Sequence, residues 1–309
     1  MLRTAILAAS RNPFLRDRLP RYRFARRAAR RFLPGETVED ALAVLPGLSE
    51  VGIHAARTQL GEDVADAGAA DEVLAHYHEV LERATAVPEP PHISVKPSQL
   101  GLELDVDRTR SRIAELTDHA AEAGTAVWID MESSRHVEPT LQIFRGLLED
   151  HRNVGICLQA YLHRTPADVA ALLPRTNAIR LVKGAYAEPA AVALQDRQAI
   201  DRSFADLTSL LLEHAGDHPD TPQPALGTHD WELVDPLVSA AEERGVARTD
   251  FEVQMLYGIR TPDQRRLAEE GFRVRVLINY GPAWFPWFMR RLAERPANLW
   301  FVARNALGS

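Results

Sequence analysis

Two adjacent arginines near the end of the chain, Arg290 and Arg291, are the side chains best suited by type and spacing to bind a small acid. Neighbouring guanidinium groups present several fixed N–H donors to one carboxylate. The segment 272–298 that carries them begins as an alternating apolar and basic run, which predicts a strand. It breaks at 280–282 and continues as an aromatic helix, with Pro286 expected in the first turn. The alternative interpretation of the pair is a solvated helix face.

Lysine is almost absent from the sequence. Of 36 basic residues only Lys96 and Lys183 are lysines, and the rest are arginines. The two residue types are interchangeable on a solvated surface, but not where a compact ammonium or a deprotonable amine is needed. Both lysines end strand-like runs, so we expect functional roles for both.

The composition excludes several kinds of site. The single cysteine, Cys157, excludes an internal disulfide and a cysteine metal cluster. The eleven histidines are scattered without an HExxH pair, and no Gly-x-Ser-x-Gly elbow or post-strand GxGxxG turn occurs. No apolar run approaches the roughly 20 residues of a membrane span. We therefore expect neither a metal, a serine nucleophile nor a Rossmann domain in this chain of 309 residues.

The first 35 residues are strongly basic. They hold ten arginines and one acid, a net charge of +9, so the remainder carries −16 of the total of −7. Such a start is typical of an arm that binds anionic membranes or nucleic acid, or of a transit peptide. The apolar spacing within it equally predicts a surface helix that covers part of the fold.

Eight strand-like segments alternate with helices from residue 51 onward. Near-continuous apolar strands separated by amphipathic helices indicate a parallel sheet covered by helices. Eight such units predict an α/β protein with a closed (βα)8 barrel. We expect a helix over 36–48 and a first strand over 51–55. The predicted division is an N-terminal basic helical arm at 1–48 and a barrel domain at 49–309, with the oligomeric state left open.

Polar residues fall at the predicted carboxyl ends of the strands, where a barrel of this kind places its catalytic groups. They are Glu62, Lys96, Asp130, Gln159, Arg180, Lys183, Thr228, His229 and Tyr280. Structural alternatives remain for single members, such as a helix cap at Asp130 or His229 and a rim aromatic at Tyr280. A barrel without metal or nucleophile that binds a small carboxylate would need a cofactor for redox chemistry.

At these residues the chain resembles the proline dehydrogenases, in their short monofunctional bacterial form, over most of 20–305. The two most specific matches are RLVKGAY at 180–186 and FMRRLAERPAN at 288–298. The others are LGE at 60–62, ISVKPS at 93–98, ID at 129–130, LQAY at 158–161, THD at 228–230, FEVQML at 251–256 and YG at 280–281.

The resemblance implies a distorted, TIM-like (βα)8 barrel whose last helix lies over the C-terminal strand ends, with non-covalent FAD as the cofactor. The residues it implies for the cofactor are Asp130, Gln159, Arg180, Lys183, Gly184, Tyr186, Thr228, His229 and Glu294. Those it implies for the substrate and the chemistry are Lys96, Asp130, Leu256, Tyr280, Trp287, Arg290 and Arg291. Glu62 would pair with Arg290 as a gate, and Glu294 would brace the arginines.

The implied reaction is oxidation of L-proline to Δ1-pyrroline-5-carboxylate, with hydride transfer to flavin N5 and reoxidation by membrane quinone. The implied location is the cytoplasm, with peripheral contact to the inner face of the membrane left open, and no nucleic-acid partner is expected.

Two positions depart from the family pattern. Trp287 stands where the family has a substrate-facing tyrosine, and Asn279 stands where proline is usual. The changes keep proline as the leading substrate and leave another cyclic imino acid, such as hydroxyproline, as an alternative.

Two alternatives belong to other classes of protein. One is a Schiff-base aldolase that uses Lys96 or Lys183 as the amine nucleophile. The other is a non-catalytic barrel kept as a scaffold, which the Trp287 change and the basic arm suggest.

Overall fold

The computed structural model describes residues 14, 18, 22–84, 87, 89–218 and 221–294, apart from the side chains of residues 23, 24, 293 and 294. In this part of the chain eight parallel strands close into a barrel in sequence order, and the last strand pairs with the first. The strands are β1 (His54–Gln59), β2 (His92–Val95), β3 (Val127–Ile129), β4 (Val154–Gln159), β5 (Ile179–Val182), β6 (Ala225–Gly227), β7 (Glu252–Leu256) and β8 (Arg273–Tyr280).

Helices precede the barrel, connect its strands and follow the last strand. They are α1 (Arg23–Ala29), α2 (Val38–Leu42), α3 (Leu45–Ser49), α4 (Ala67–Ala84), α5 (Val106–Glu122), α6 (Ser134–Leu147), α7 (Thr165–Leu172), α8 (Arg197–Asp217), α9 (Trp231–Glu242), α10 (Thr261–Glu269) and α11 (Trp284–Glu294). A 3-10 turn, Pro97–Leu100, follows β2. The predicted (βα)8 barrel is therefore confirmed.

Local sequence explains why these elements form where they do. Every residue of β4 is buried, as expected for a strand covered by helices on one face and by the barrel interior on the other. Helix α5 begins where the Asp105 side chain accepts a hydrogen bond from the Arg108 N–H, and it ends before Gly124 at φ 68°.

The start of the barrel differs from the expectation. Residues 51–53 form a turn, in which Gly52 has φ 69° and the Ile53 N–H donates to the Leu48 carbonyl, so β1 covers 54–59 instead of 51–55. The helix predicted over 36–48 is two short helices, α2 and α3. Pro46 lies in the first turn of α3, where its missing N–H costs no helical hydrogen bond.

Helix α11 lies over the carboxyl ends of the strands. Its buried aromatic residues share a core with Leu60, just beyond β1, and contact Leu256, the last residue of β7. The chain reaches this position through Gly281, where φ is 119° and a Cβ atom would lie 3.2 Å from the Leu60 backbone nitrogen. Pro286 is the third residue of α11, in the first turn as predicted.

The described part of the basic arm folds back on the barrel. Ala25, Ala28 and Ala29 of α1 are buried against α11, and the rings of Phe32 and Phe288 lie 6.0 Å apart. None of the helices in the described ranges combines the length and apolarity needed to cross a membrane.

Candidate active site

Strand alternation decides which side chains face the inside of the barrel. Arg275 on β8 donates hydrogen bonds to Glu252 on β7, so these two side chains point inward. Residues two positions further along each strand share that face. Leu277 and Leu256 are register partners on this face, nearer the carboxyl ends.

Asp130 is the centre of a cluster at the carboxyl ends of β2, β3 and β5. Its Oδ2 atom accepts from Lys96 Nζ at 2.8 Å, and its Oδ1 atom accepts from Ser94 Oγ at 2.8 Å and from the Arg180 guanidinium. Arg180 also donates to Ser94 Oγ at 2.8 Å. The structure thus brings together three of the predicted site residues, Lys96, Asp130 and Arg180.

The charges of this cluster set its protonation. Burial would raise the pKa of the Asp130 carboxyl, but the Lys96 and Arg180 cations lower it below its ordinary value. Burial would lower the pKa of the Lys96 ammonium, but the Asp130 carboxylate raises it. Asp130 is therefore ionised and Lys96 protonated near neutral pH, and the three charged groups carry a net +1.

A buried polar column, formed by Arg180, Gln254, Glu252 and Arg275, continues below the cluster. Arg180 donates to Gln254 Oε1 at 3.2 Å, and Gln254 Nε2 donates to Glu252 at 2.8 Å. Arg275 donates to the two Glu252 oxygens at 2.7 and 2.9 Å. The column links the base of the barrel to the Asp130 cluster.

The two arginines of α11 lie at the mouth of the barrel, as predicted. Arg290 Nη2 donates to Glu62 Oε1 at 2.9 Å, which is the predicted gate pair. The Arg291 guanidinium lies 5.7 Å from the centre of the Trp287 ring. Both arginines are half-buried, so both retain access to a ligand.

Tyr186 is close enough to Arg290 and to Lys96 of the Asp130 cluster for both charges to act on it. Burial raises the pKa of its phenol, the neighbouring Glu62 carboxylate raises it further, and the Lys96 and Arg290 cations lower it. Groups from the loops after β1, β2 and β5 and from α11 therefore converge on one mouth.

The remaining predicted cofactor residues lie along the ends of β4 to β6. Gln159 is 3% exposed and donates to the carbonyls of Met131 and Glu132. Its Oε1 atom is buried and accepts no hydrogen bond from the described residues. Gly184 has φ 125°, and a Cβ atom there would lie 2.2 Å from the Tyr161 ring, so only glycine fits this position.

Thr228 and His229, which follow β6, lie with Lys183 in a second group of polar residues. Thr228 Oγ1 accepts from the Asp230 N–H at 3.0 Å, and His229 Nε2 accepts from the Leu256 N–H at 3.3 Å. Lys183 Nζ lies 2.6 Å from Asp201 and 2.7 Å from Asp230, between two carboxylates. The Lys183 hydrogen bond lowers the pKa of the Asp230 carboxyl.

The placement of Tyr280 in the substrate pocket is wrong. Its hydroxyl lies 2.8 Å from His76 Nε2 on α4, and the side chain is 1% exposed between β8 and the helix layer. The physical reason is strand alternation, because Tyr280 shares the outward face of Val276 and Ile278. Leu277 and Asn279 take the inward positions at this end of β8.

Three further predicted residues lie at the end of β7 and on α11. Leu256 is partly buried at the end of β7 and packs against the core that contains the α11 aromatics, and its contact with the substrate stays a prediction. Trp287 is 7% exposed and packs in the core that α11 shares with α1. The Glu294 side chain lies outside the described part of the structure, and its bracing role stays a prediction.

Three polar residues of the site were not predicted. Ser94 binds Asp130, Gln254 binds Arg180, and the buried Glu132 carboxylate accepts two hydrogen bonds from Ser98. A signal existed for Ser94, which is two positions before Lys96 on the same strand run. No such signal existed for Glu132, because this residue lies beyond the end of β3, where the alternation of strand side chains no longer applies.

Comparison with known proteins agrees with this geometry. The family model described as Proline dehydrogenase matches residues 43–304. Proline dehydrogenase 1 of Bacillus subtilis (strain 168) is 36% identical over 307 residues, which cover 99% of each chain. The proline dehydrogenase of Deinococcus radiodurans is 34% identical over 312 residues, covering 99% of this chain and 98% of that one.

Solved structures share the fold. The crystal structure of proline utilization A from Bdellovibrio bacteriovorus, inactivated by N-propargylglycine, superposes with a TM-score of 0.79 at 23% identity over 87% of this chain. The present chain spans 33% of that longer protein. The full-length relatives and the family match together show that this chain is an enzyme that belongs to the proline dehydrogenase family.

Proposed function

We propose that this enzyme oxidises L-proline to Δ1-pyrroline-5-carboxylate with a bound FAD as the hydride acceptor. The observation that carries the proposal is the position of Arg290 and Arg291 on α11, at the same mouth as Lys96 and Asp130. The proline dehydrogenases that the chain matches over their full length supply the substrate.

The two arginines would hold the substrate by its carboxylate. The Glu62–Arg290 pair would open to admit the substrate and re-form over it, while the other donors of Arg290 and those of Arg291 bind the carboxylate, so the ring is fixed at one end. Hydride transfer needs the reacting carbon about 3–3.5 Å from its acceptor, and fixing the carboxylate supplies much of that alignment. The C5–H bond breaks, the hydrogen leaves with both electrons, and a C5=N double bond forms.

The charged cluster would act on the substrate amine. The proline ammonium must lose a proton before hydride transfer, because the nitrogen lone pair forms the new double bond. The net +1 charge of Lys96, Arg180 and Asp130 disfavours a second cation beside it and favours the neutral amine. Lys96 itself cannot take that proton, since its own amine is already protonated.

The residues at the ends of β4 and β5 carry hydrogen-bonding groups of the type that an isoalloxazine ring needs. When bound, FAD supplies the two-electron acceptor. The buried Gln159 Oε1 atom, which accepts nothing from the described residues, suits the ring's imide N–H. Lys183 would reach the cofactor only by leaving one of its two carboxylates, so its predicted contact has weaker support than that of Gln159.

The aldolase alternative is disfavoured by the environment of both lysines. A Schiff-base nucleophile needs a neutral amine. Asp130 raises the pKa of Lys96, and Lys183 lies between two carboxylates. Both contacts stabilise the ammonium form.

The substrate choice is tested by turnover with an artificial dye as electron acceptor. We expect proline to be oxidised faster than 4-hydroxyproline, because the side chains of Leu256 and Leu277, register partners on the inward face, cannot hydrogen-bond a ring hydroxyl. Trp287→Tyr is the matched variant, because it restores the tyrosine that the family pattern has at this position of α11. Proline turnover by Trp287→Tyr but not by the wild type would show that proline is the wrong substrate.

We also propose that electrons pass from the flavin to membrane quinone, with α1 at the lipid surface of the cytoplasmic side. Arg26 and Arg27 of α1, and Arg30 directly after it, are exposed on the side opposite the buried alanines. A basic amphipathic helix of this kind binds anionic lipid. Co-sedimentation with anionic vesicles should exceed that with neutral vesicles and fall with salt. Equal binding to both would contradict this proposal.

A further inference from the structure

The gate pair has one partner on an irregular segment. Glu62 belongs to the gate loop, residues 60–66, which joins β1 to α4 and contains no regular structure up to α4. Asp63, directly after Glu62, has φ 46°, in the left-handed region that is uncommon for residues other than glycine. Such a conformation persists only where neighbouring groups hold it.

The group that holds this backbone is Ser98, in the 3-10 turn after β2. Ser98 Oγ accepts a hydrogen bond from the Asp63 N–H at 3.2 Å. The same hydroxyl donates to Glu132 Oε1 at 2.6 Å, and the Ser98 N–H donates to Glu132 Oε2 at 2.9 Å. Ser98 is 2% exposed and Glu132 is 3% exposed, so the side of the contact that supports the loop is buried, whereas Asp63 itself is exposed.

The Ser98–Glu132 contact fixes the direction of the Ser98 hydroxyl, and close packing fixes the distance between the gate loop and the 3-10 turn. The Ser98 hydroxyl has one proton, which it donates in the hydrogen bond to Glu132. The lone pairs of the hydroxyl oxygen are therefore left to accept from the Asp63 N–H. Gly61 lies so close to the same turn that a Cβ atom would be 2.5 Å from Gln99 Nε2. The gate loop therefore rests on the turn that follows Lys96.

We propose that Ser98 is a positioning residue for the gate. Oriented by Glu132, it fixes the backbone of Asp63 and thereby directs the adjacent Glu62 towards Arg290. It acts on entry and retention of the substrate, not on hydride transfer. The inference rests on the proposed oxidation of proline and adds a part to the gate that the sequence did not reveal.

The first test compares the effects of substitutions at Ser98 on KM and on kcat. Ser98→Ala should raise the KM for proline about fivefold, as expected for loss of one neutral hydrogen bond, with kcat within a factor of two. Ser98→Thr keeps the hydroxyl and should restore most of the affinity. Thr109→Val is the matched control, because it removes a buried hydroxyl that binds the Leu100 carbonyl at the end of the same turn. It should leave KM unchanged.

A double-mutant cycle tests the route through Glu62. In the Glu62→Gln background, Ser98→Ala should add almost nothing to KM, because the gate pair is already lost. Full additivity of the two effects would overturn the proposal, as would an equal rise in KM for Thr109→Val.

Hydrogen exchange gives a readout that does not depend on turnover. The Asp63 amide should exchange about fivefold faster in Ser98→Ala than in the wild type, and at the wild-type rate in Thr109→Val. A wild type that does not oxidise proline, but shows this difference, would refute the proposed function and retain the contact as the support of the gate loop. Equal Asp63 exchange in wild type and Ser98→Ala would overturn the positioning role.

Discussion

The base and the mouth of the barrel both contain arginine–glutamate pairs, and the two pairs differ in burial and in completeness. At the base, Arg275 and Glu252 have side chains 7% and 8% exposed and make a two-pronged contact. At the mouth, Arg290 and Glu62 are 27% and 36% exposed and share one hydrogen bond of 2.9 Å.

The difference separates a structural role from a binding role. A buried ion pair whose donors are satisfied has nothing left for a ligand, and breaking it leaves an uncompensated buried charge. A half-exposed pair contributes little to stability and can open and re-form at small cost. The base pair therefore has a structural role between β7 and β8, and the mouth pair can open to admit a substrate and close again.

The largest effect should come from breaking the base pair. Glu252→Gln leaves Arg275 buried without its counter-charge, and we expect a loss of about 3–5 kcal/mol in the free energy of unfolding. Urea unfolding measures the loss. The control is Glu252→Gln with Arg275→Met, which removes both charges and should recover much of the stability. A loss below about 1 kcal/mol in the single variant would remove the distinction between the two pairs.

The same pair predicts how stability depends on acid. Burial would raise the pKa of the Glu252 carboxyl, but the Arg275 guanidinium holds it at about 2. A folded-state pKa below the unfolded value of about 4.3 gives stability that is complete above that value. It is lost as pH falls through the folded pKa. The wild type should therefore lose about 2–3 kcal/mol from this group between pH 4.5 and 2.

The acid-dependent loss is checked by urea unfolding at a series of pH values. Glu252→Gln cannot ionise and should lack this component of the pH dependence. An identical pH dependence in wild type and variant would show that Glu252 does not carry it.

At the mouth, a change in α11 should lower activity and spare stability. Arg291→Gln removes charge-assisted hydrogen bonds to the substrate, and we expect about a hundredfold fall in kcat/KM for proline. The unfolding free energy should change by less than about 1 kcal/mol, since Arg291 is half-buried at the barrel mouth. Arg265→Gln, at an exposed arginine of α10, is the matched control and should leave kcat/KM unchanged.

The smallest effect should come from Tyr280→Phe. The hydroxyl binds His76 on the outer side of β8, so its loss should cost about 1 kcal/mol of stability. The KM for proline should stay within a factor of two, because the hydroxyl does not face the substrate. A tenfold rise in KM would place Tyr280 in the pocket after all.

The sequence predicted the barrel because eight apolar runs alternate with amphipathic helices, and it predicted the Lys96–Asp130 pair because both residues end such runs. It did not predict that β1 starts at 54, because the Gly52 turn depends on a backbone hydrogen bond to Leu48 rather than on polarity. It also did not predict the Ser98–Glu132 contact, which joins loops after two different strands.

Tyr280 is a case in which the signal was present. The alternation that identified β8 places Arg275 and Leu277 on one face and Val276, Ile278 and Tyr280 on the other. Arg275 faces the interior to meet Glu252, so Tyr280 must face the helices. A motif match gave the position of the tyrosine in the chain, and only the parity of the strand gave its direction.

The most direct test of the account is an anaerobic titration of the purified flavoprotein with proline, followed by the bleaching of the flavin absorbance. The wild type should be reduced by proline. The Arg290→Gln/Arg291→Gln variant should bind the same flavin but remain oxidised at the proline concentrations that reduce the wild type. Equal bleaching of the two proteins, or none in the wild type, would contradict the claim that the paired arginines hold proline at the barrel mouth for oxidation.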